Sequence, residues 1–275
     1  MKRISAKPKR AASNGADELE GVRSVKDIVR PQSWCIYGRS GSGKTTLAST
    51  FPAPILLLDV RDRGTDSISD QDVDVKDIES LEDLEDTYYY LKKNPKTYKT
   101  VVIDTATQLQ QVFMEEVGQG ARRNGRAGDW GSLSQRQFGD VAAIMKEWTL
   151  NFRNLTDLGM EVVFIAQERT SHIDDDDGRI DEAMLVPEVG PAVMPSIATH
   201  LNANVSIIGN TFIRIKRTKL KRGNKTTEKE DAQYCLRVGP NPVYTTKMRK
   251  PRGIKAPAFI EDPTYRDIKE VMKGE

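Results

Sequence analysis

The sequence predicts an α/β fold: a mostly parallel sheet flanked by helices, continued by a β-rich, basic C-terminal extension of the sheet. Three observations carry this. Residues 38–45 read G-R-S-G-S-G-K-T, the pattern G-x-x-x-x-G-K-[ST], between a short apolar run and a helix-compatible one. Over the first 170 residues, apolar runs of strand length alternate with runs of helical period, the mark of a parallel sheet with right-handed crossovers. Beyond residue 204 the helical period gives way to β-prone runs punctuated by Gly223-Asn224 and Gly239-Pro240-Asn241-Pro242.

The elements follow in order. Residues 1–20 are charged, small and aperiodic, and read as a disordered basic tail. One domain is expected over 21–255 and a C-terminal tail over 256–275. Ser33-Trp34-Cys35-Ile36-Tyr37 is the first strand. A helix opens at Thr45 and is ended by Pro52 and Pro54. Residues 53–59 (APILLLD) read as a buried parallel strand. Ile78, Leu81, Leu84, Tyr88 and Leu91 recur at spacings of three and four, an amphipathic helix over 77–93 that Pro95 ends.

Residues 100–105 (TVVIDT) are another buried strand, followed by a helix over 107–117. Residues 118–131 are rich in Gly and Arg, end in Asp129-Trp130-Gly131, and read as a loop that orders on binding. A long helix over 134–157 and a buried strand over 161–167 come next. Residues 168–190 read as a polar loop holding four consecutive aspartates at 174–177. A short helix over 192–202 precedes strands at 204–217, 232–238 and near 243–247. No internal repeat is found.

Composition narrows the class. With 275 residues, 37% hydrophobic and 30% charged, the chain can build one large α/β core. It has no run of about 18 apolar residues, so no membrane span is expected. Its N-terminus lacks the apolar region of a secretory signal. Cys35 and Cys235 show no CxxC pairing, which argues against zinc and a disulfide framework; both are expected as buried filler in a reducing cytoplasm. Net charge is only +2, but the charges are segregated. Lys2, Arg3, Lys7, Lys9 and Arg10 crowd the N-terminus; Arg214, Lys216, Arg217, Lys219, Lys221, Arg222 and Lys225 form a second cluster. Such clusters point to a polyanionic partner.

The motif at 38–45 carries the chemistry. It is the phosphate-binding P-loop: Gly38, Arg39, Ser40, Gly41, Ser42, Gly43, Lys44 and Thr45, with Thr46 just inside the helix, are the expected nucleotide-binding residues. Glycines bring backbone N–H groups close to phosphates. Lys44 sets a point charge on the β- and γ-phosphates, and the Thr45 hydroxyl is a ligand for Mg²⁺. Asp104, ending an apolar strand, fits the Walker B carboxylate that holds the same metal. Hydrolysis also needs a group that orients or deprotonates water. Asp59 and Asp62 are both candidates, with Asp62 preferred. Gln167, at the end of the strand after Asp104, is placed to sense the γ-phosphate.

Taken in order, several pieces resemble the RecA-type recombinase core, most closely the short phage-encoded RecA-like ATPases of single-strand annealing. They are the P-loop, Leu56-Leu57-Leu58-Asp59 with Gly64 after it, residues 101–105, Asp129-Trp130-Gly131, residues 162–167, and Cys235-Leu236-Arg237-Val238-Gly239 leading to Thr246-Lys247-Met248-Arg249-Lys250-Pro251. The resemblance spans roughly residues 30–255. It implies ATP and Mg²⁺ as ligands, single-stranded DNA as partner, and a homo-oligomer, ring or filament, in a bacterial host cytoplasm. A single-strand-binding protein is a further implied partner. The acidic position after the second strand is usually Glu in such ATPases; Asp62 is the nearest match, and the shorter carboxylate implies slow hydrolysis. Lys247 and Arg249 match a pair of cations that reaches a neighbour's ATP site. The Arg-rich loop, with Arg122, Arg123, Arg126 and Trp130, matches a DNA-facing loop. Lys219, Lys221 and Arg222 in the basic hairpin are further DNA-binding candidates, whereas the aspartates at 174–177 would repel phosphates.

Other classes give different expectations. Another P-loop DNA motor (helicase, loader or packaging ATPase) is the second reading, although no accessory helicase domain is visible in the sequence. A small-molecule kinase would show an arginine lid and no nucleic-acid affinity. A nucleotide-gated scaffold with vestigial hydrolysis would bind ATP without turnover.

Overall fold

The computed structural model describes residues 30–123, 133–173, 186–222 and 225–274; at 219–222 and 225–228 it describes the backbone alone. Met1–Arg30 is a unit apart from Pro31–Glu275, and the expected basic tail lies outside the described residues. The second unit carries the elements β1 (Ser33–Gly38), α1 (Lys44–Ala48), β2 (Ile55–Asp59), β3 (Asp74–Asp77), α2 (Leu81–Lys93), β4 (Thr100–Asp104), α3 (Ala106–Arg123) and α4 (Gln135–Asn154). It continues with β5 (Glu161–Ile173), β6 (Val186–Pro191), α5 (Pro195–Asn204), β7 (Ile207–Arg222), β8 (Lys225–Arg237), β9 (Lys247–Met248), β10 (Phe259–Glu261) and α6 (Tyr265–Lys273).

The strands form one sheet in the order β10-β8-β7-β1-β5-β4-β2-β3, with β6 on β5 and β9 on β7. From β7 to β3 neighbouring strands are parallel; β8 and β9 pair antiparallel to β7, β6 to β5, and β10 to β8. Strands β7, β8 and β10, after residue 204, thus make one edge of the same sheet.

Alternation along the central strands divides the core in two. Cys35, Tyr37, Leu56, Leu58, Val101, Ile103, Val162 and Phe164 pack on one face with residues of α2 to α5. Trp34, Ile36, Leu57, Val102, Val163 and Ile165 pack on the other with Leu47 and Ala48 of α1 and Ile268 of α6. Both faces being covered explains why β2 (ILLLD) and β4 (TVVID) are continuous apolar runs, buried at every position. Ser80, Ser134 and Thr264 start α2, α4 and α6 with reciprocal capping boxes, which satisfy N–H groups left free at a helix start.

The structure departs from the sequence reading at five points. β3 (DVKD) is exposed throughout, and an edge strand of that kind carries no apolar signal. α3 runs past residue 117 to Arg123, with Gly118 and Ala121 buried on its inner face, so the glycine does not end the helix. Residues 168–173 and 186–191 are not loop but an antiparallel pair of β5 and β6, a ladder whose polar residues hide it from pattern reading. The strand near 243–247 is only Lys247–Met248.

The fifth concerns residues 256–275, which are no tail among the described residues. β10 pairs with β8, and α6 docks under the sheet. Ile268 is fully buried, and the Tyr265 hydroxyl donates to Glu161 over 2.8 Å. The buried Glu161 also accepts from Trp34 Nε1 at 2.7 Å and from the Gln32 amide at 2.9 Å, with Lys269 3.7 Å away. Trp34, Phe51 and Tyr265 cluster in edge-to-face and tilted contacts with centroids 4.8–5.9 Å apart. No described helix is long and apolar enough to cross a membrane.

Candidate functional site

β1, β2 and β4 end at one edge of the sheet, while β5 runs on past it to Ile173. Gly38 of β1 is in register with Gln167 of β5, and Asp59 of β2 with Asp104 of β4. β5 lies between the strands that carry Gly38 and Asp104. Carboxyl ends of parallel strands are where open α/β sheets bind ligands. A cavity of about 670 Å³ opens there, lined by residues 40–47, Asp62, Asp104 and Gln167, among others.

The loop after β1 is shaped by its glycines. Gly41 and Gly43 hold left-handed backbones, φ 74° and 85°, which L side chains rarely adopt. Gly38 is required for another reason: a Cβ there would sit 2.3 Å from the Thr211 hydroxyl. Ser42 braces the turn, its hydroxyl 2.7 Å from the Arg39 carbonyl oxygen and 2.6 Å from Thr211 Oγ1. α1 has only five residues, so loop amides and Lys44 supply the positive field, and a long helix dipole does not.

Lys44 is buried with its ammonium in the loop. It donates to the carbonyls of Gly38 (3.1 Å) and Arg39 (2.8 Å) and to Gln167 Oε1 (3.3 Å). Burial lowers its pKa, opposed by the nearby charges of Asp104, Asp62 and Glu168. The Thr45 hydroxyl donates to Asp104 Oδ2 over 2.7 Å. Asp104 is 3% exposed, and its other oxygen, Oδ1, is buried without a partner. Burial, with the charge of Asp62 also acting upward, pushes this carboxyl up to about 6 against the bond from Thr45.

That orphaned oxygen tests the fit of a cation. Mg²⁺ takes one or two protein oxygens and completes its shell with water and phosphate. Thr45 Oγ1 and the Asp104 carboxylate supply such a pair. Among the described residues there is no cluster of three or more His, Cys, Asp or Glu, as a metal held by the protein alone would need.

The geometry separates the two carboxylates left open by the sequence. Asp59 is buried, and its Oδ1 accepts from the amides of Asp62 (2.9 Å) and Arg63 (3.0 Å). It shapes the loop. Asp62 is exposed to the cavity, and Gly64 leaves room for it: a Cβ there would lie 3.0 Å from Asp62 Oδ2. The residues flanking Asp62 are both left-handed, Arg61 at φ 56° and Arg63 at φ 50°. Such backbones persist only where surroundings hold them. Arg61 is held by Glu115 at 2.7 Å and Glu79 at 3.2 Å.

Other expected residues lie elsewhere. Lys247 donates to the carbonyls of Asn202 (2.7 Å) and Ala203 (3.1 Å), and Arg249 to Ala203 (3.2 Å). Both therefore face the C-terminal end of α5, where cations meet free carbonyls and the negative end of the dipole. β9 pairs with Ile207 and Ile208 at the start of β7, whereas Gly38 is level with Thr211 further along that strand. Arg122 and Arg123 are exposed in the last turn of α3. Arg126, Trp130 and the aspartates at 174–177 lie outside the described residues. Lys219, Lys221 and Arg222 fall in β7, in backbone register with Glu228, Thr226 and Lys225. The basic strand meets acids across the hairpin, as in the ion pair Arg217–Glu230.

Sequence reading missed part of the cavity wall. Thr211, Tyr234, Cys235, Asp262, Pro263 and Thr264 also line it. No local pattern marks them, because only the pairing of β1 with β7, β7 with β8 and β8 with β10 brings them to the P-loop.

The AAA_24 family, described as an AAA domain, matches residues 30–249. The chain belongs to this family. The match places P-loop, Asp104 and Gln167 within one AAA domain and ends before β10 and α6. Among solved structures, this AAA domain is similar to the KaiC-like protein of the hyperthermophilic archaeon Pyrococcus horikoshii OT3. The two share 11% identity over 86% of this chain and 91% of that one, with a TM-score of 0.40. A search of curated proteins gives no match.

Proposed function

We propose that this AAA domain binds ATP with Mg²⁺ at the P-loop, hydrolyses it slowly, and uses the cycle to act on single-stranded DNA in phage-type recombination or annealing. The observation that carries the nucleotide part is the convergence of Lys44, Thr45, Asp104, Gln167 and Asp62 on one cavity. Lys44 meets the β- and γ-phosphates, and loop amides hold the chain in place. Thr45 and Asp104 would hold Mg²⁺, which neutralises phosphate charge. Asp62 orients the attacking water, and Gln167, already hydrogen-bonded to Lys44, relays the state of the γ-phosphate along β5.

The DNA part rests on charge and on the sequence resemblance to RecA-like annealing ATPases. Arg122 and Arg123 project from α3 beside the Arg-rich segment, and residues 214–231 carry eight cations against three acids. A homo-oligomer would give Lys247 and Arg249 a second role, at the neighbour's phosphates.

The test is ATP turnover with and without single-stranded DNA at two salt concentrations. Stimulation that fades with salt supports the reading. Turnover indifferent to DNA points to another motor or a kinase. ATP binding without turnover points to a nucleotide-gated scaffold.

A further inference from the structure

The cavity has two ends. Lys44, Thr45, Asp104, Asp62 and Gln167 make the phosphate end already described. The other end runs along α1 past Thr46 to Thr50 and is closed by Tyr234 and residues 262–264. This second wall lies partly beyond the family match, which stops at residue 249.

We propose that Tyr234 and the corner at 262–264 form the subsite for the base and ribose of the nucleotide, so that the C-terminal segment takes part in recognising it. The proposal rests on the reading of the P-loop as a nucleotide site.

Tyr234 lies against the loop itself. A Cβ on Gly43 would come within 3.0 Å of its Cδ1. Yet the residue is 44% exposed, a large aromatic surface open beside a polar loop. An aromatic face there suits a nucleobase, which stacks by its π-surface. The corner is tied to Tyr234 in two ways. The Asp262 amide donates to the Tyr234 carbonyl at 2.7 Å, and the Tyr234 amide donates to Asp262 Oδ1 at 3.3 Å. Asp262 holds a left-handed backbone, φ 43°, directly before Pro263. Strain of this kind needs surroundings that enforce it and marks functional corners. The Tyr265 amide donates to Thr50 Oγ1 at 2.9 Å, which fastens the corner to the end of the P-loop helix. Asp262, Pro263 and Thr264 then border the space where a ribose or exocyclic amine would lie.

Two measurements on the full chain test this. Photolabelling with 8-azido-ATP should mark Tyr234 or the peptide holding residues 262–264; label confined to other peptides overturns the subsite. Equilibrium binding of ATP is then compared with binding of inorganic tripolyphosphate, which lacks base and ribose. Tyr234→Ala should weaken ATP about tenfold or more, the scale of one lost base–aromatic stack, and leave tripolyphosphate unchanged. Tyr234→Phe should restore ATP binding. Equal losses for both ligands, or an unchanged ATP affinity in Tyr234→Ala, overturn the subsite while the P-loop reading stands. If Lys44→Ala binds both ligands as the wild type does, the underlying nucleotide reading fails instead.

Discussion

The hydroxyl of Thr45 donates to the carboxylate of Asp104 over 2.7 Å across 59 positions of sequence, leaving Asp104 Oδ1 buried and without a partner. Two groups that a P-loop protein places on Mg²⁺ are thus already in contact, with one acceptor to spare.

If the pair holds Mg²⁺ as proposed, metal-dependent binding should be sensitive to pH. Burial raises the Asp104 carboxyl from 3.8 to about 6. Between these values the native state binds more protons than the unfolded chain, so this group's contribution to stability falls as pH rises through the window. Metal binding needs the ionised form and runs the other way. The Mg²⁺-dependent part of ATP affinity should be full above about 6 and fade below it. Asp104→Asn should weaken Mg·ATP and flatten the pH dependence; calorimetric titration on either side of that value checks both.

How much of this was legible varies with locality. The P-loop is readable from its fixed pattern of Gly, Lys and Thr, and β4 and the apolar start of β5 are readable because each is a contiguous run buried on both faces. The choice between Asp59 and Asp62 was not readable. It depends on which carboxylate turns inward to take the amides of residues 62 and 63. Tyr234 and Asp262 were invisible for the same reason, being brought to Gly43 only by strand pairing. The C-terminal helix reads as a tail in the sequence because its short apolar stripe means little without the surface that Trp34 and Phe51 provide.

α6 should therefore matter for stability. Ile268→Ala removes a fully buried side chain and should cost about 2–5 kcal/mol. Urea unfolding of the variant, compared at equal slope with the wild type, measures it.

Arg249 has a partner in its own chain, the Ala203 carbonyl at 3.2 Å. Losing that exposed bond in Arg249→Ala should cost about 1 kcal/mol or less. If it also serves a neighbour's site, turnover should fall much further than stability. Mixing with the Lys44→Ala protein should then recover activity, because each inactive chain supplies what the other lacks. Normal turnover by Arg249→Ala alone would remove the trans role.

For DNA, the triple variant Arg122→Ala, Arg123→Ala, Arg126→Ala should bind single strands more weakly. The slope of log affinity against log salt should drop by about 2 if three phosphate contacts are lost. A titration series over salt gives that slope, and an unchanged slope would move the DNA path to the hairpin of β7 and β8.

The central claim is that Lys44 meets a nucleotide phosphate chain. Titration of Mg·ATP into the wild type and Lys44→Ala tests it most directly. Loss of a buried, hydrogen-bonded charge should weaken binding roughly 30- to 1000-fold. Equal affinity in the two proteins would contradict the assignment of the site.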